Sequence, residues 1–141
     1  RVNHRAVLGK GIFVGYVGVI GAYATIGDHT QLGGYAVVAH HCRIGTNVIL
    51  QRRTSVISGI EIKDNSFICT EAKILKINLT IGENSYIHPG VIVMRDVDDN
   101  EVVSNYFKRG GEIGKNSNEP KTKNTYSEYV NGLFKRVKNG K

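Results

Sequence analysis

The sequence predicts an all-β parallel β-helix, and three observations carry that expectation: a strict six-residue aliphatic period, a glycine column beside it, and a small-residue column before it. Stepping by six from Leu8 gives Val14, Ile20, Ile26, Leu32, Val38, Ile44, Leu50, Val56, Ile62, Ile68 and Ile74, and all twelve positions are aliphatic. A self-similar period of this kind marks a solenoid, in which each repeat buries its apolar face against its neighbours. The phase slips by one residue within 76–80 and resumes at Ile81, Ile87 and Val93.

Glycine follows the aliphatic residue directly at Gly9, Gly15, Gly21, Gly27, Gly33, Gly45 and Gly82. Two residues before the aliphatic come mainly small side chains: Ala6, Gly18, Ala24, Thr30, Ala36, Cys42, Thr54, Ser66, Ala72 and Ser85. Each hexad then supplies a short strand and a tight bend, and three hexads close one triangular coil. The aliphatic fills the interior, and the small residue fits where the wall turns inward. Glycine is expected where the chain is crowded or φ is positive. Fifteen hexads make about five coils, stacked as parallel strands about 4.8 Å apart. An antiparallel sandwich with alternating polarity accounts for neither the six-residue step nor the glycine column.

Past Val97 the pattern ends in the turn cluster Asp98-Asp99-Asn100, and Glu101–Val103 reads as a last strand. Gly110 to Asn124 is polar and reads as a loop. Tyr129, Val130, Leu133, Phe134 and Val137 then follow helical spacing, which predicts a short amphipathic C-terminal helix over Ser127–Lys138. The chain therefore divides into a β-helix domain over residues 1–105 and a basic loop and helix over 106–141. The repeat is already running by Ala6 and the first residue is Arg1; an N-terminally truncated domain is expected.

Composition and charge narrow the function classes. The chain is 40% hydrophobic with 17 glycines, 2 prolines and no tryptophan, which suits a packed domain. No apolar run approaches the roughly 20 residues that span a bilayer, and no integral membrane segment is expected. Of the formal net charge of +7, residues 1–105 carry ten Lys/Arg against nine Asp/Glu, and the remainder carries nine against three. The basic character belongs to a solvated tail, and no nucleic-acid partner is expected. Cys42 and Cys69 form no framework and read as buried free thiols, which suits a reducing cytoplasm. The five histidines show no metal-ligand spacing, so no metal is expected.

Val38-Ala39-His40-His41-Cys42-Arg43-Ile44-Gly45 is the segment richest in chemistry. It resembles the H-[DE]-C-x-I-G segment of hexapeptide-repeat acyltransferases, in the branch of the sialic-acid O-acetyltransferases and bacillosamine N-acetyltransferases. The resemblance covers about residues 6–97 and implies a left-handed β-helix, a homotrimer, and acetyl-CoA bound in the grooves between neighbouring prisms. It also implies that His40 is the catalytic base. His41 stands where the family has the Asp or Glu that orients the base. A neutral imidazole can hydrogen-bond its neighbour but cannot stabilise an imidazolium as a carboxylate does.

Acyl transfer needs a proton removed from a hydroxyl or amine as it attacks the thioester. An imidazole, with an ordinary pKa of about 6.5, suits that task near neutral pH. Direct attack needs no nucleophilic side chain, and Cys42 reads as a core filler. Residues 18 apart lie on adjacent coils, so Ala22 and Ser58 flank His40. The family has glycine at the register of Ser58, with a backbone N–H facing the thioester carbonyl; here Ser58 and Gly59 jointly are the candidate oxyanion contact. Arg52 and Arg53 are candidates for binding a charged ligand, a CoA phosphate or an acidic sugar. His29 and His88 read as surface histidines at corners, and His4 lies before the repeat.

Val91 to Lys108 resembles the family ending V-x-K-D-V-P-x-N-x-V-V-x-G-N-P-A-K, with Ser104, Tyr106 and Phe107 in place of Gly, Pro and Ala. The expected activity is acetyl-CoA-dependent O- or N-acetylation of a sugar or nucleotide sugar, of the kind used in polysaccharide biosynthesis. The competing expectation is a non-catalytic trimeric β-helix serving assembly or binding.

Overall fold

In the computed structural model, residues 1–104 are described. They form a left-handed parallel β-helix whose three faces are each a parallel sheet. The first face stacks β1 (Val7–Leu8), β4 (Thr25–Ile26), β7 (Arg43–Ile44), β10 (Glu61–Ile62) and β13 (Thr80–Ile81). The second stacks β2 (Phe13–Val14), β5 (Gln31–Leu32), β8 (Ile49–Leu50), β11 (Phe67–Ile68), β14 (Tyr86–Ile87) and β16 (Val102–Val103). The third stacks β3 (Val19–Ile20), β6 (Val37–Val38), β9 (Ser55–Val56), β12 (Lys73–Ile74) and β15 (Ile92–Val93). The first fifteen strands make five coils, and β16 opens a sixth. The expected C-terminal helix and basic tail lie outside the described residues.

Each strand is two residues long and obeys one rule: its second residue is the aliphatic of the column and points inward. Ile20, Leu32, Val38, Ile68, Ile74, Ile81 and Ile87 are wholly buried, and Leu50, Val56 and Ile62 are nearly so. Stacked in register from coil to coil, they form one continuous core down the prism axis. The small column lies beside them, with Ala24, Ala36, Cys42 and Ala72 fully buried. Burial pushes both the Cys42 and the Cys69 thiols above the ordinary cysteine value.

The phase slip is accommodated at one bend. Val38 pairs with Val56, 18 residues on, whereas Ile62 pairs with Ile81 and Ile74 with Val93, 19 residues on. The extra residue is absorbed between β12 and β13, where Asn78 takes the left-handed conformation. The parallel ladder continues unbroken on either side.

The glycine column has one of the two reasons expected of it. None of its members has positive φ. The left-handed corner residue comes two positions later, at Tyr23, His29, Tyr35, His41, Asn47 and their equivalents. Asparagine recurs there, at Asn47, Asn65, Asn78, Asn84 and Asn100, because its short polar side chain tolerates that conformation. The column itself is glycine because the next coil is too close. A Cβ at Gly15 would lie 2.7 Å from the Gly34 nitrogen, and one at Gly27 would lie 2.6 Å from the Gly45 carbonyl carbon.

Candidate active site

The edge joining the third face to the first gathers the chemistry. It is built from the bends between β3 and β4, β6 and β7, and β9 and β10, which carry Ala22-Tyr23, His40-His41 and Ser58-Gly59. Their register is fixed by backbone bonds across coils: His41 N–H donates to Ala22 O at 3.0 Å, and Gly59 N–H to His40 O at 3.2 Å. The expected stacking of Ala22, His40 and Ser58 on successive coils is observed.

His40 is exposed, and both of its ring nitrogens are engaged. Nε2 lies 2.9 Å from Ser58 Oγ, and Nδ1 lies 2.9 Å from His41 Nδ1. His41 sits at φ 57°, which carries its ring back over the previous coil. There it stacks on Tyr23, with centroids 5.0 Å apart and planes within 14°. His4 meets the edge of Tyr23 at 5.7 Å, and the Arg5 guanidinium lies 5.7 Å over the same ring. One exposed edge thus holds a ladder of rings that fixes His41, and His41 in turn engages His40.

Tyr23, His4 and Arg5 belong to this edge and were not expected there. The signal was available: Arg5, Tyr23 and His41 are successive 18-residue steps, as are His4, Ala22, His40 and Ser58. His4 is therefore part of the first coil rather than a residue ahead of it. Val2 pairs with Ile20, so the stacking begins earlier than Ala6.

The backbone donors expected at Ser58 and Gly59 divide. Gly59 N–H is already committed to His40 O, whereas Ser58 N–H has no hydrogen-bond partner among the described residues. At some equivalent bends that N–H is covered by a side chain, as Lys10 N–H is by Asp28, Thr46 N–H by Asp64 and Thr70 N–H by Gln51, whereas Ala22, Gly34, His40 and Arg52 leave it uncovered as Ser58 does. At the Ser58 bend the donor stays open. Cys42 is turned away from this edge into the core, its Sγ 3.1 Å from Ile57 O.

Arg52 and Arg53 lie on a different edge, in the bend between β8 and β9 that joins the second face to the third. Arg53 rests over the Tyr35 ring at 5.6 Å. Arg52 borders a shallow cavity of about 500 Å³ with Phe13, Gln31, Ile49 and Thr70. Within one chain the structure brings His40, His41, Ser58 and Gly59 together and leaves the arginine pair on the neighbouring edge. His88 is half-buried rather than a surface residue, and burial lowers its pKa below the ordinary histidine value. Among the described residues no group of His, Cys, Asp and Glu is placed to hold a metal ion, and no helix is long and apolar enough to cross a membrane.

Comparison with known proteins bears on this geometry. The family described as bacterial transferase hexapeptide (six repeats) matches residues 23–57, which include the His40 bend. No curated protein matches the sequence. The acetyltransferase domain of PglB from Neisseria gonorrhoeae is similar in structure, with a TM-score of 0.62 at 19% identity, over 72% of this chain and 52% of that one. The same domain in complex with acetyl coenzyme A gives a TM-score of 0.52 at 18% identity, with the same coverage. A hexapeptide transferase family protein from Anaplasma phagocytophilum gives 0.62 at 17% identity, over 93% of this chain and 90% of that one. The chain spans about half the length of the PglB domain it matches. By repeat, by register and by these likenesses, the chain has the left-handed β-helix fold, and its residues 23–57 match the bacterial transferase hexapeptide family.

Proposed function

We propose that this chain is an acetyl-CoA-dependent acetyltransferase that modifies a hydroxyl or amine of a sugar or nucleotide sugar. The observation that carries the reading is the exposed His40 imidazole at the edge of the prism, engaged at Nδ1 by His41 and at Nε2 by the Ser58 hydroxyl. An exposed imidazole with one nitrogen held by a neighbouring ring and the other in contact with an exchangeable hydroxyl is equipped to act as a general base. The likeness to the PglB acetyltransferase domain supports the same chemistry.

In this reading the acceptor attacks the thioester carbonyl directly, and His40 takes up the proton released. The developing oxyanion finds a donor in the open Ser58 N–H. Collapse breaks the C–S bond, and the proton held by His40 passes to the CoA sulfur. One base serves a hydroxyl and an amine alike. Arg52 and Arg53 sit on the adjacent edge, and in this reading they meet the acyl donor at His40 from a second copy of the chain. The proposed assembly is the homotrimer that the family resemblance implies, with acetyl-CoA held between prisms. The free thiols of Cys42 and Cys69 fit a cytoplasmic setting.

His41 favours one other reading. A neutral ring where a carboxylate would stabilise the imidazolium is what a β-helix kept for assembly or binding would tolerate. Calorimetry with acetyl-CoA separates the two, comparing the wild-type chain with His40→Ala and Arg53→Ala. Wild-type binding, weakened by Arg53→Ala and retained by His40→Ala, supports the transferase. No heat at millimolar acetyl-CoA sinks it.

A further inference from the structure

The hydrogen bond between Ser58 and His40 raises a problem for direct proton transfer, because both nitrogens of the base are already occupied. Nδ1 faces His41 and Nε2 faces Ser58, each at 2.9 Å. An acceptor therefore has no free ring nitrogen to approach unless Ser58 is displaced. The atom facing Nε2 is Ser58 Oγ, in an exposed contact, and a serine hydroxyl accepts one hydrogen bond while donating another.

We infer that Ser58 is a catalytic residue, acting as a proton relay between the acceptor and His40. This rests on the acetyltransferase reading above and specifies how its base is reached. Two directions of hydrogen bonding satisfy the distances. In one, His41 Nδ1–H donates to His40 Nδ1 and His40 Nε2–H donates to Ser58; His40 then has no lone pair to offer. In the other, His40 Nδ1–H donates to His41 Nδ1, and Ser58 O–H donates to His40 Nε2. Only the second leaves His40 basic, and it points the Ser58 proton at the base.

The acceptor oxygen or nitrogen forms its bond to the acetyl carbonyl carbon while its proton moves to Ser58 Oγ. The original Ser58 proton moves to His40 Nε2. The C–S bond then breaks, and the thiolate takes a proton back along the same path. Ser58 ends as it began, and no acyl-serine forms. The bend geometry suits this role, since Ser58 is held on the coil after His40 by the Gly59-to-His40 backbone bond.

The test uses the full chain with acetyl-CoA and a panel of amino sugars, following CoA thiol release with the acceptor that gives the fastest rate. Ser58→Ala is expected to lower kcat by about tenfold or more, with KM for acetyl-CoA changed by less than about twofold. Ser58→Thr, which keeps a hydroxyl, is expected to recover most of the loss. The rate in mixed light and heavy water should fall along a curve in the wild type, reporting two protons in motion, and along a line in Ser58→Ala.

An unchanged or faster Ser58→Ala overturns the relay and makes Ser58 a plug over the base. Acetyl-Ser58 detected by mass spectrometry after incubation without acceptor overturns it in favour of a nucleophile. Acetyl-CoA binding without release to any acceptor also overturns it while leaving donor recognition intact. Absence of acetyl-CoA binding removes the transferase reading, and the relay with it.

Discussion

His40 and His41 face each other through the same atom, Nδ1 to Nδ1, at 2.9 Å. A hydrogen bond between two such nitrogens needs one donor and one acceptor, so the contact cannot survive with both rings protonated. His41 thus orients its neighbour but brings no counter-charge to an imidazolium.

Replacing that ring tests the point directly. At φ 57° the position favours residues that tolerate the left-handed region, and aspartate and asparagine are among them. His41→Asp should raise kcat for acetyl transfer by up to about fivefold, since an exposed carboxylate beside a cation contributes up to about 1 kcal/mol. His41→Asn keeps an acceptor without charge and should stay near wild type. His41→Ala loses the acceptor and should fall by about tenfold, near the worth of one hydrogen bond. An order of activity other than Asp, then His and Asn, then Ala contradicts the orienting role.

The six-residue column was enough to read the prism, because every second strand residue must be a large aliphatic to fill it and nothing else in the chain has that period. The same arithmetic placed Ala22, His40 and Ser58 on consecutive coils. It also contained the separation of Arg52 and Arg53 from His40, since their distance from the His40 column is not a multiple of 18. What the pattern could not supply was side-chain direction. That Ser58 Oγ lies against Nε2 while His41 lies against Nδ1 is decided by rotamers and by the left-handed backbone of His41. The spent donor at Gly59 was hidden for a similar reason, because backbone bonding at a bend depends on the coil beneath.

Gly21 makes the link between packing and site testable. A Cβ there would press on the His40 backbone nitrogen and lie 2.9 Å from its Cα. Gly21→Ala should therefore displace the His40 bend, lowering stability by about 1–3 kcal/mol and acetyl transfer more steeply than stability. Gly34→Ala is the control, because its Cβ would meet nothing closer than Tyr16 O at 3.5 Å. Thermal melts and thiol release on both variants check this. Equal behaviour of the two would mean that coil spacing does not hold His40.

Thr54 offers a gain instead of a loss. In the same small-residue column, Thr30 Oγ1 donates to Gly45 O at 2.7 Å and Ser66 Oγ to Gly82 O at 2.8 Å. Thr54 Oγ1 is buried without a partner, and the carbonyl it would use, Cys69 O, takes the Ala72 N–H at 3.1 Å. Thr54→Val keeps the shape and removes the unpaired hydroxyl. It should stabilise the chain by about 1 kcal/mol, read as a rise in Tm of about 4 °C or more. A lower Tm would show that the hydroxyl is satisfied in solution.

His88 sets an acid limit on the fold. Its backbone N–H donates to Val103 O at 2.9 Å, its ring lies beside Tyr86, edge to face at 5.3 Å, and burial lowers its pKa below the ordinary value. As pH falls, the unfolded chain therefore binds this proton first, at about 6.5, while the folded chain still resists it. Over that interval the unfolded state holds more protons, so stability decreases with falling pH. The contribution is complete above about pH 6.5 and declines below it, levelling once folded His88 is itself protonated. His88→Gln removes the titrating ring. Wild-type Tm should then drop further than that of the variant between about pH 7.5 and about pH 5.5. Parallel curves over that range would place the acid sensitivity at another group.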